Sequence, residues 1–233
     1  MTAVIRFGGL SLVGGAVAFI GVFAYLAARF NYPDVLNGEA ATVLPGLLAT
    51  GKQGRIVWAI YAFLPLIWLP AGVAAYEALA PVRRGPMRLA LVLAVVAAHA
   101  MMLGLMRWPS VHWHLALAFA QAAPPEQRVV AAVFDNLNTY LGNYIGEFLG
   151  ELSFSGFFLL TSIVWLQSPR TQKWIGWVGV ATAISGLLGM FRNVTAVVAP
   201  IAAVNNFLLP VFMIILGVAL VRWPISGRPT EIM

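Results

Sequence analysis

Apolar residues occur in six long stretches separated by shorter, more polar segments. A membrane core about 30 Å thick needs about 20 apolar residues in a helix, and six stretches have that length. They cover residues 7–28, 56–80, 88–106, 141–167, 174–191 and 204–222. The first is too long for the apolar part of a signal peptide, so we count it as a span. The pattern predicts an all-α integral membrane bundle of six transmembrane helices, in one domain of residues 1–233.

Two outer loops, residues 29–55 and 107–140, hold most of the remaining chain. In the first loop, the segment 39–49 lies between two turn signals and predicts a short helix at the membrane interface. In the second loop, an apolar segment begins at Trp108 and ends at Pro124-Pro125, too early to span the membrane. We interpret it as a second interfacial helix, anchored by Trp108 and Trp113.

Composition supports a membrane protein and excludes several other classes. The chain is 61% hydrophobic and 9% charged, so it cannot cover a soluble domain with polar side chains, and the lipid bilayer is its main partner. The net charge of +6 does not indicate nucleic acid, because the basic residues stand singly or in pairs beside apolar stretches. With no cysteine, disulfides and thiolate metal sites are excluded. No cofactor is predicted, and a homo-oligomer or a larger membrane complex stays open.

The positions of basic residues predict an orientation. Eight of them lie close to span ends on alternate segments: Arg6, Arg83, Arg84, Arg88, Arg170, Lys173, Arg222 and Arg228. The positive-inside rule places these segments, and therefore both termini, in the cytoplasm. The opposite loops carry nearly as many basic residues, but they are longer and also contain acids. Arginine far exceeds lysine, as in GC-rich bacterial genomes, and we expect a multi-pass protein of the bacterial cytoplasmic (inner) membrane.

The fourth span carries most of the polar residues that lipid would not tolerate. Steps of three and four connect Asn136, Tyr140, Asn143, Glu147, Glu151 and Ser155 along one helical face. A charge at the centre of a span costs about 2.5–3.5 kcal/mol, so this face should point into the bundle. Beside it, Gly142, Gly146 and Gly150 form a strip of glycine-zipper type that allows close approach of a neighbouring helix. Span four is therefore predicted to be the central helix.

A candidate site follows from depth in the membrane. His99 of span three and Glu147 of span four both lie about 10 Å below the outer boundary, at 1.5 Å per residue. We predict a site for a ligand or cation formed by His99, Asn143, Glu147 and Glu151. The alternative is a polar network that only fixes helix register. Polar residues at the outer ends of the spans predict a vestibule above the site: Tyr140, Arg192, Asn193, Asn205 and Asn206.

Other chemistry is weaker or excluded. His112 and His114 are candidate metal ligands only if their segment is extended, because on a helix they diverge. No span contains lysine for a retinal Schiff base, and no protease or hydrolase motif is present, so catalytic residues are unknown. Three functions remain: binding or translocation of a small molecule or cation, a non-catalytic accessory subunit, and a metal-dependent or acid–base enzyme using His99 with Glu147 and Glu151.

Several short motifs resemble a known family. They are Tyr32-Pro33-Asp34-Val35-Leu36, Trp58-Ala59-Ile60-Tyr61 and Leu69-Pro70-Ala71, then Trp174-Ile175-Gly176-Trp177-Val178-Gly179, Leu209-Pro210 and Leu216-Gly217. Together they resemble the bacterial six-span membrane family described as domain of unknown function 4386. The resemblance implies six spans in a bacterial inner membrane. It implies no catalytic or binding residues.

Overall fold

The computed structural model describes residues 2–223 and is built from helices. In chain order these are α1 (Thr2–Phe30), α2 (Ala40–Ala49), α3 (Gly51–Leu79), α4 (Arg84–Gln121), α5 (Pro124–Gln167), α6 (Lys173–Asn193) and α7 (Ala196–Val221). All except α2 are long and apolar enough to cross a membrane. The predicted six-span, all-α bundle is confirmed. Arg228, which entered the orientation argument, lies outside the described residues.

The six spanning helices form a ring that follows chain order. Each packs against the next, from α1 and α3 through α4, α5 and α6 to α7, and α7 packs back against α1. The most apolar part of α5 is more deeply buried than that of any other span. Even so, α5 is a member of the ring, and the prediction that it forms the centre is wrong. Because successive spans alternate in direction, the described chain begins and ends at the same end of the ring.

Glycines allow α4 and α5 to lie in close contact. Gly142, Gly146 and Gly150 all face α4. A Cβ atom on Gly146 would stand 3.0 Å from the Cα atom of Gly104 on α4, and one on Gly150 would stand 2.6 Å from the Cγ atom of Met101. Both distances are below ordinary van der Waals contact. Side chains larger than hydrogen would therefore separate the two helices.

The ring is closed by a second glycine contact, between α1 and α7. A Cβ atom on Gly9 would lie 2.6 Å from the carbonyl oxygen of Gly217, and a Cβ atom on Gly217 would lie 2.7 Å from the carbonyl oxygen of Gly9. Within lipid, apolar side chains gain little by leaving one apolar environment for another, so van der Waals packing holds helices together. The two backbones touch here because neither residue has a side chain.

Two helices are too long for a bilayer. Helix α4 has 38 residues and α5 has 44, which correspond to about 57 and 66 Å, roughly twice the thickness of a membrane core. Their adjoining ends, residues 108–137, pack with α2 at one end of the ring. We call α2 and residues 108–137 the cap. The prediction of a short helix at 39–49 corresponds to α2.

The cap has its own apolar core, and this core contains the predicted interface anchors. Trp108 is fully buried and Trp113 nearly so, and the Trp108 ring stacks on Trp58 with 4.8 Å between ring centroids. The apolar segment after Trp108 is helical as predicted, but it continues α4 through a wide turn, Trp108–His112. Pro109, which lacks a backbone N–H, lies in that turn. Trp108 and Trp113 thus pack inside the protein, and the position of this segment at the membrane interface stays a prediction.

Replacing Gly146 by leucine should separate α4 from α5 and lower thermal stability in detergent by at least several degrees, because overpacking costs about 1–3 kcal/mol or more. Gly21→Leu is the matched control, since a Cβ atom on Gly21 meets nothing within 4 Å. Differential scanning fluorimetry of both purified variants measures the effect. Equal losses would contradict the close α4–α5 contact.

Candidate functional site

A cavity of about 390 Å³ lies inside the ring at the cap end. All six spanning helices contribute to its wall: for example Phe19, Trp68, Met101, Glu147, Arg192 and Met213, in chain order. A short 3₁₀ turn after α1, Asp34–Asn37, also lines it. The cavity is thus a product of ring closure and belongs to no single pair of helices.

The end of α1 directs the chain over this cavity. Asn31 has a positive φ of 51°, a left-handed conformation that asparagine tolerates better than most residues. The N–H of Tyr32 then bonds back to the carbonyl of Leu26, six residues earlier, at 3.3 Å, and this wide turn ends the helix. The following turn therefore leaves the axis of α1 and lies beside the cavity.

A buried arginine fixes that turn to α4 and α5. Arg107 is only 4% exposed; its Nε donates to Oδ1 of Asn138 at 3.0 Å, and its Nη1 donates to the carbonyl of Gly104. Asn138 in turn donates to the carbonyl of Leu36 at 2.7 Å. All these partners are neutral. The sequence analysis placed Arg107 in an outer loop and did not propose it as a site residue. The available signal was the apolar segment after Trp108, which continues α4 beyond Arg107.

The two acids of α5 share one counter-ion. Arg192 lies 3.0 Å from Oε2 of Glu147 and 2.7 Å from Oε2 of Glu151, and Asn193 donates to Glu147 at 2.6 Å. We call Arg192, Glu147 and Glu151 the ion-pair cluster. Arg192 belongs to the 3₁₀ turn that ends α6, so the cluster joins α5 to the α6–α7 junction. The structure thus brings together the predicted acids and two residues of the predicted vestibule.

The predicted polar face of α5 is not continuous. Residues Asn138–Leu149 form a run of wide π-helical turns, so steps of three and four no longer complete a turn. Tyr140 is therefore 62% exposed and points away from the cavity. Asn143 contacts the Asn37 side chain at 3.4 Å and does not line the cavity. Glu147 remains on the inner face.

His99 does not meet the acids, and this part of the prediction is wrong. The imidazole is exposed on the outer face of the ring, where its Nδ1 is 2.8 Å from the carbonyl oxygen of Val95. On α4 it is Met101 and Gly104 that line the cavity. His99 precedes Met101 by two residues, which is a rotation of about 200° around the helix axis. The side chains of His99 and Glu147 therefore lie at similar depth but do not point towards each other.

The other two histidines also diverge. His112 is fully buried in the cap, where its ring lies 4.9 Å from that of Trp108 and 4.6 Å from that of Phe134, between centroids. His114 is exposed. Over residues 2–223, no group of three or more His, Asp or Glu side chains is arranged to hold a metal ion.

The cavity opens between the 3₁₀ turn and the first turns of α7. The residues that both line the cavity and are exposed are Pro33, Asp34, Asn37, Ala199, Ala203 and Asn206. We call this opening the mouth. Asn206 was predicted to lie in a polar vestibule and does line the mouth, whereas Asn205 does not line the cavity. Of the five predicted vestibule residues, Asn206 therefore lines the mouth, Arg192 and Asn193 contact the acids of α5, Tyr140 lies on the outer surface, and Asn205 is half-buried outside the cavity.

Two tyrosines complete the polar wall. The hydroxyl groups of Tyr32 and Tyr61 are 3.1 Å apart, and either can be the donor. Burial raises the pKa of the Tyr32 hydroxyl above its ordinary value, so Tyr32 stays protonated at neutral pH. Sequence reasoning assigned neither residue to a site. Both belong to the motifs on which the family resemblance rests. Those motifs were the signal in the sequence that could have pointed to Tyr32 and Tyr61.

The fold and site define a class: a six-span membrane protein with a closed helical ring around an internal cavity of mixed apolar and polar lining. The family model described as Domain of unknown function (DUF4386) matches residues 7–224, nearly the whole chain. The chain belongs to this family, and the resemblance of its motifs is confirmed. No match was found among the curated proteins or the solved structures.

Replacing Arg192 by methionine should leave two partly buried carboxylates without a counter-ion and cost about 3 kcal/mol. The triple variant Arg192→Met, Glu147→Gln, Glu151→Gln removes all three charges and should regain most of that loss. Arg128→Met, on an exposed side chain, is the control. Thermal unfolding in detergent compares the variants. If Arg192→Met unfolds at the same temperature as the triple variant, the ion pairs do not stabilise the ring.

Proposed function

We propose that the protein binds a small molecule inside the helical ring and exchanges it through the mouth. The cavity itself carries this proposal. Its volume of about 390 Å³ falls within the range of small-molecule sites, roughly 300–1,000 Å³. All six spans and the 3₁₀ turn line it, so a ligand here would contact every part of the bundle.

The wall of the cavity has the mixed character of a ligand site. Arg107, Glu147 and Arg192 lie towards the cap, while Trp68 and Met213 lie deeper in the ring. Ligand pockets commonly combine apolar walls with a few polar groups that fix orientation. Charged residues inside a membrane bundle are costly and are most often functional. The site therefore suits a molecule with one polar end and one apolar end.

A small molecule fits the site better than a bare cation. Both Glu147 and Glu151 already contact Arg192, so a metal ion would have to displace a bonded guanidinium. An acid–base enzyme would need His99 beside these acids, and the imidazole lies on the outer face of the ring. We therefore propose binding or translocation ahead of catalysis.

One observation favours a second function, that of a non-catalytic accessory subunit. His99 is an exposed polar side chain within a spanning helix, and such residues usually face protein and not lipid. A partner helix on this face of α4 would give the imidazole a second hydrogen bond. In this function the ring would be a scaffold for a larger membrane complex.

We also propose the bacterial cytoplasmic membrane as the location, with both ends of the bundle in the cytoplasm. The basic residues beside the span ends support this orientation. An even number of spans puts both ends on one side. The cap and the mouth would then face the periplasm.

Native mass spectrometry after purification in a mild neutral detergent should show a small molecule that leaves the protein on collisional activation. Ala203→Phe, which adds a large side chain at the mouth, should reduce its occupancy at least about fivefold. Val204→Phe is the matched control, because residue 204 is also exposed but does not line the cavity.

Other outcomes of this experiment identify the alternative. A protein subunit that co-purifies with the wild type and is lost in His99→Leu would favour the accessory function. Equal occupancy of the small molecule in Ala203→Phe and Val204→Phe would place the binding outside the cavity and contradict the proposal.

The orientation has its own test. Alkaline phosphatase fused within residues 40–49 should be active in a bacterial host, and fused after residue 223 it should be inactive, because the enzyme folds only in the periplasm. A green fluorescent protein fusion should give the complementary result. Activity of the phosphatase after residue 223 would reverse the orientation and place the mouth in the cytoplasm.

A further inference from the structure

We propose that the ligand is an amphipathic anion, with a carboxylate or phosphate group that binds beside Arg107 and an apolar chain that extends into the ring. The inference rests on the proposed small-molecule function and names the chemical class of the ligand. It follows from how charge and hydrogen-bond donors are distributed around the cavity.

Arg107 is a buried cation that lacks a carboxylate partner. It lines the cavity and is 4% exposed, and the two residues to which it donates are neutral. Among residues 2–223, no acid lies within ion-pair distance of it, and its Nη2 has no hydrogen-bond partner. A buried charge without a counter-ion is strongly unfavourable. An anionic ligand would supply the missing partner.

The other arginine of the cavity already has carboxylate partners. Arg192 contacts both Glu147 and Glu151 at 2.7–3.0 Å, so that side of the wall carries one net negative charge. Arg107 brings the sum of the four charges to zero, but neither carboxylate lies within ion-pair distance of it. The positive charge at Arg107 therefore has no direct partner.

Donors near Arg107 would complete an anion site. In the Tyr32–Tyr61 pair one hydroxyl donates to the other, which leaves one O–H group of the pair free to donate. Asn206 at the mouth adds an amide. Guanidinium and hydroxyl donors are the usual partners of carboxylate and phosphate oxygens.

The deeper wall explains the apolar part of the ligand. Ile67 and Trp68 of α3, with Leu209 and Met213 of α7, line the cavity farther from the cap. A volume of about 390 Å³ is near the lower end of the range for small-molecule sites. It suits a single short chain better than a two-chain lipid.

Equilibrium binding of four probes tests the inference: octanoate, octyl phosphate, octylamine and octanol share one chain length and differ in the head group. Each radiolabelled probe is dialysed against the purified full chain in a neutral maltoside detergent, with protein-free micelles as the blank. The two anions should bind at least about tenfold more tightly than octanol and octylamine, because hydrogen bonds between ionised groups are stronger than those between neutral groups. The ratio of the affinities for octanoate and octyl phosphate shows whether the site prefers a carboxylate or a phosphate group.

Variants connect the preference to Arg107. Arg107→Gln should lose at least tenfold in anion affinity while its affinity for octanol stays the same, and Arg107→Lys should keep the preference for anions. The unchanged octanol binding shows that a variant has kept the folded cavity. Arg55→Gln is the matched control, because Arg55 also bonds a neutral partner, the carbonyl of Pro109 at 2.9 Å, but does not line the cavity.

The inference fails if octanol binds as tightly as octanoate, if Arg107→Gln leaves the preference unchanged, or if octylamine binds best through the acids. In each of these cases the chain still binds a small molecule, so the proposed function survives. If no probe binds although mass spectrometry shows a cavity ligand, the anionic class is again excluded. Loss of the mass-spectrometric ligand itself would instead overturn the proposed function.

Discussion

The close approach of helix backbones is the constraint on which this fold depends. A membrane bundle cannot rely on the expulsion of water from its interior, so helices must touch over wide areas to gain van der Waals contact. Glycine supplies that contact where the ring closes, at Gly9 and Gly217, and between α4 and α5, at Gly104 and Gly146. If any neighbouring pair moved apart, the ring would open, and the cavity that it encloses would be lost.

Ring closure also explains where the charges lie. Six helices around a common axis leave a space at the cap end that side chains only partly fill, and polar groups from α3 to α7 and from the 3₁₀ turn line it. Arg192 lies at the end of α6 and reaches Glu147 and Glu151 on α5. Arg107 lies where α4 enters the cap and bonds Asn138. The first arrangement pairs its cation with two carboxylates, whereas the second leaves a cation without a carboxylate partner beside a space the size of a small molecule.

The cap packs at the same end of the ring as this space but contributes no residue to its wall. It is formed because α4 and α5 exceed the thickness of the bilayer and carry aromatic residues beyond it. Trp58 and Trp108 stack in its core, and Asn138 holds the 3₁₀ turn beside the mouth through the carbonyl of Leu36. The turn beside the mouth is therefore held in place from α5.

The sequence by itself determined the number of spans, the helix α2, the strip of glycines on α5 and the presence of two costly acids in a span, because these follow from local composition and helical periodicity. Tertiary structure decided the rest. The direction in which His99 points, the partner of Glu147 and the role of Arg107 depend on helix rotation, and the wider turns of the π-helical run of α5 change which side chains face inward. Glu151 and Arg192 are 41 positions apart in the chain and are in contact. Glu147 and Asn193 are 46 positions apart and are also in contact. No local pattern in the sequence predicts contacts between such distant positions. The physical reason is that the lipid environment requires apolar residues along each span, whereas helix packing determines which polar groups come into contact.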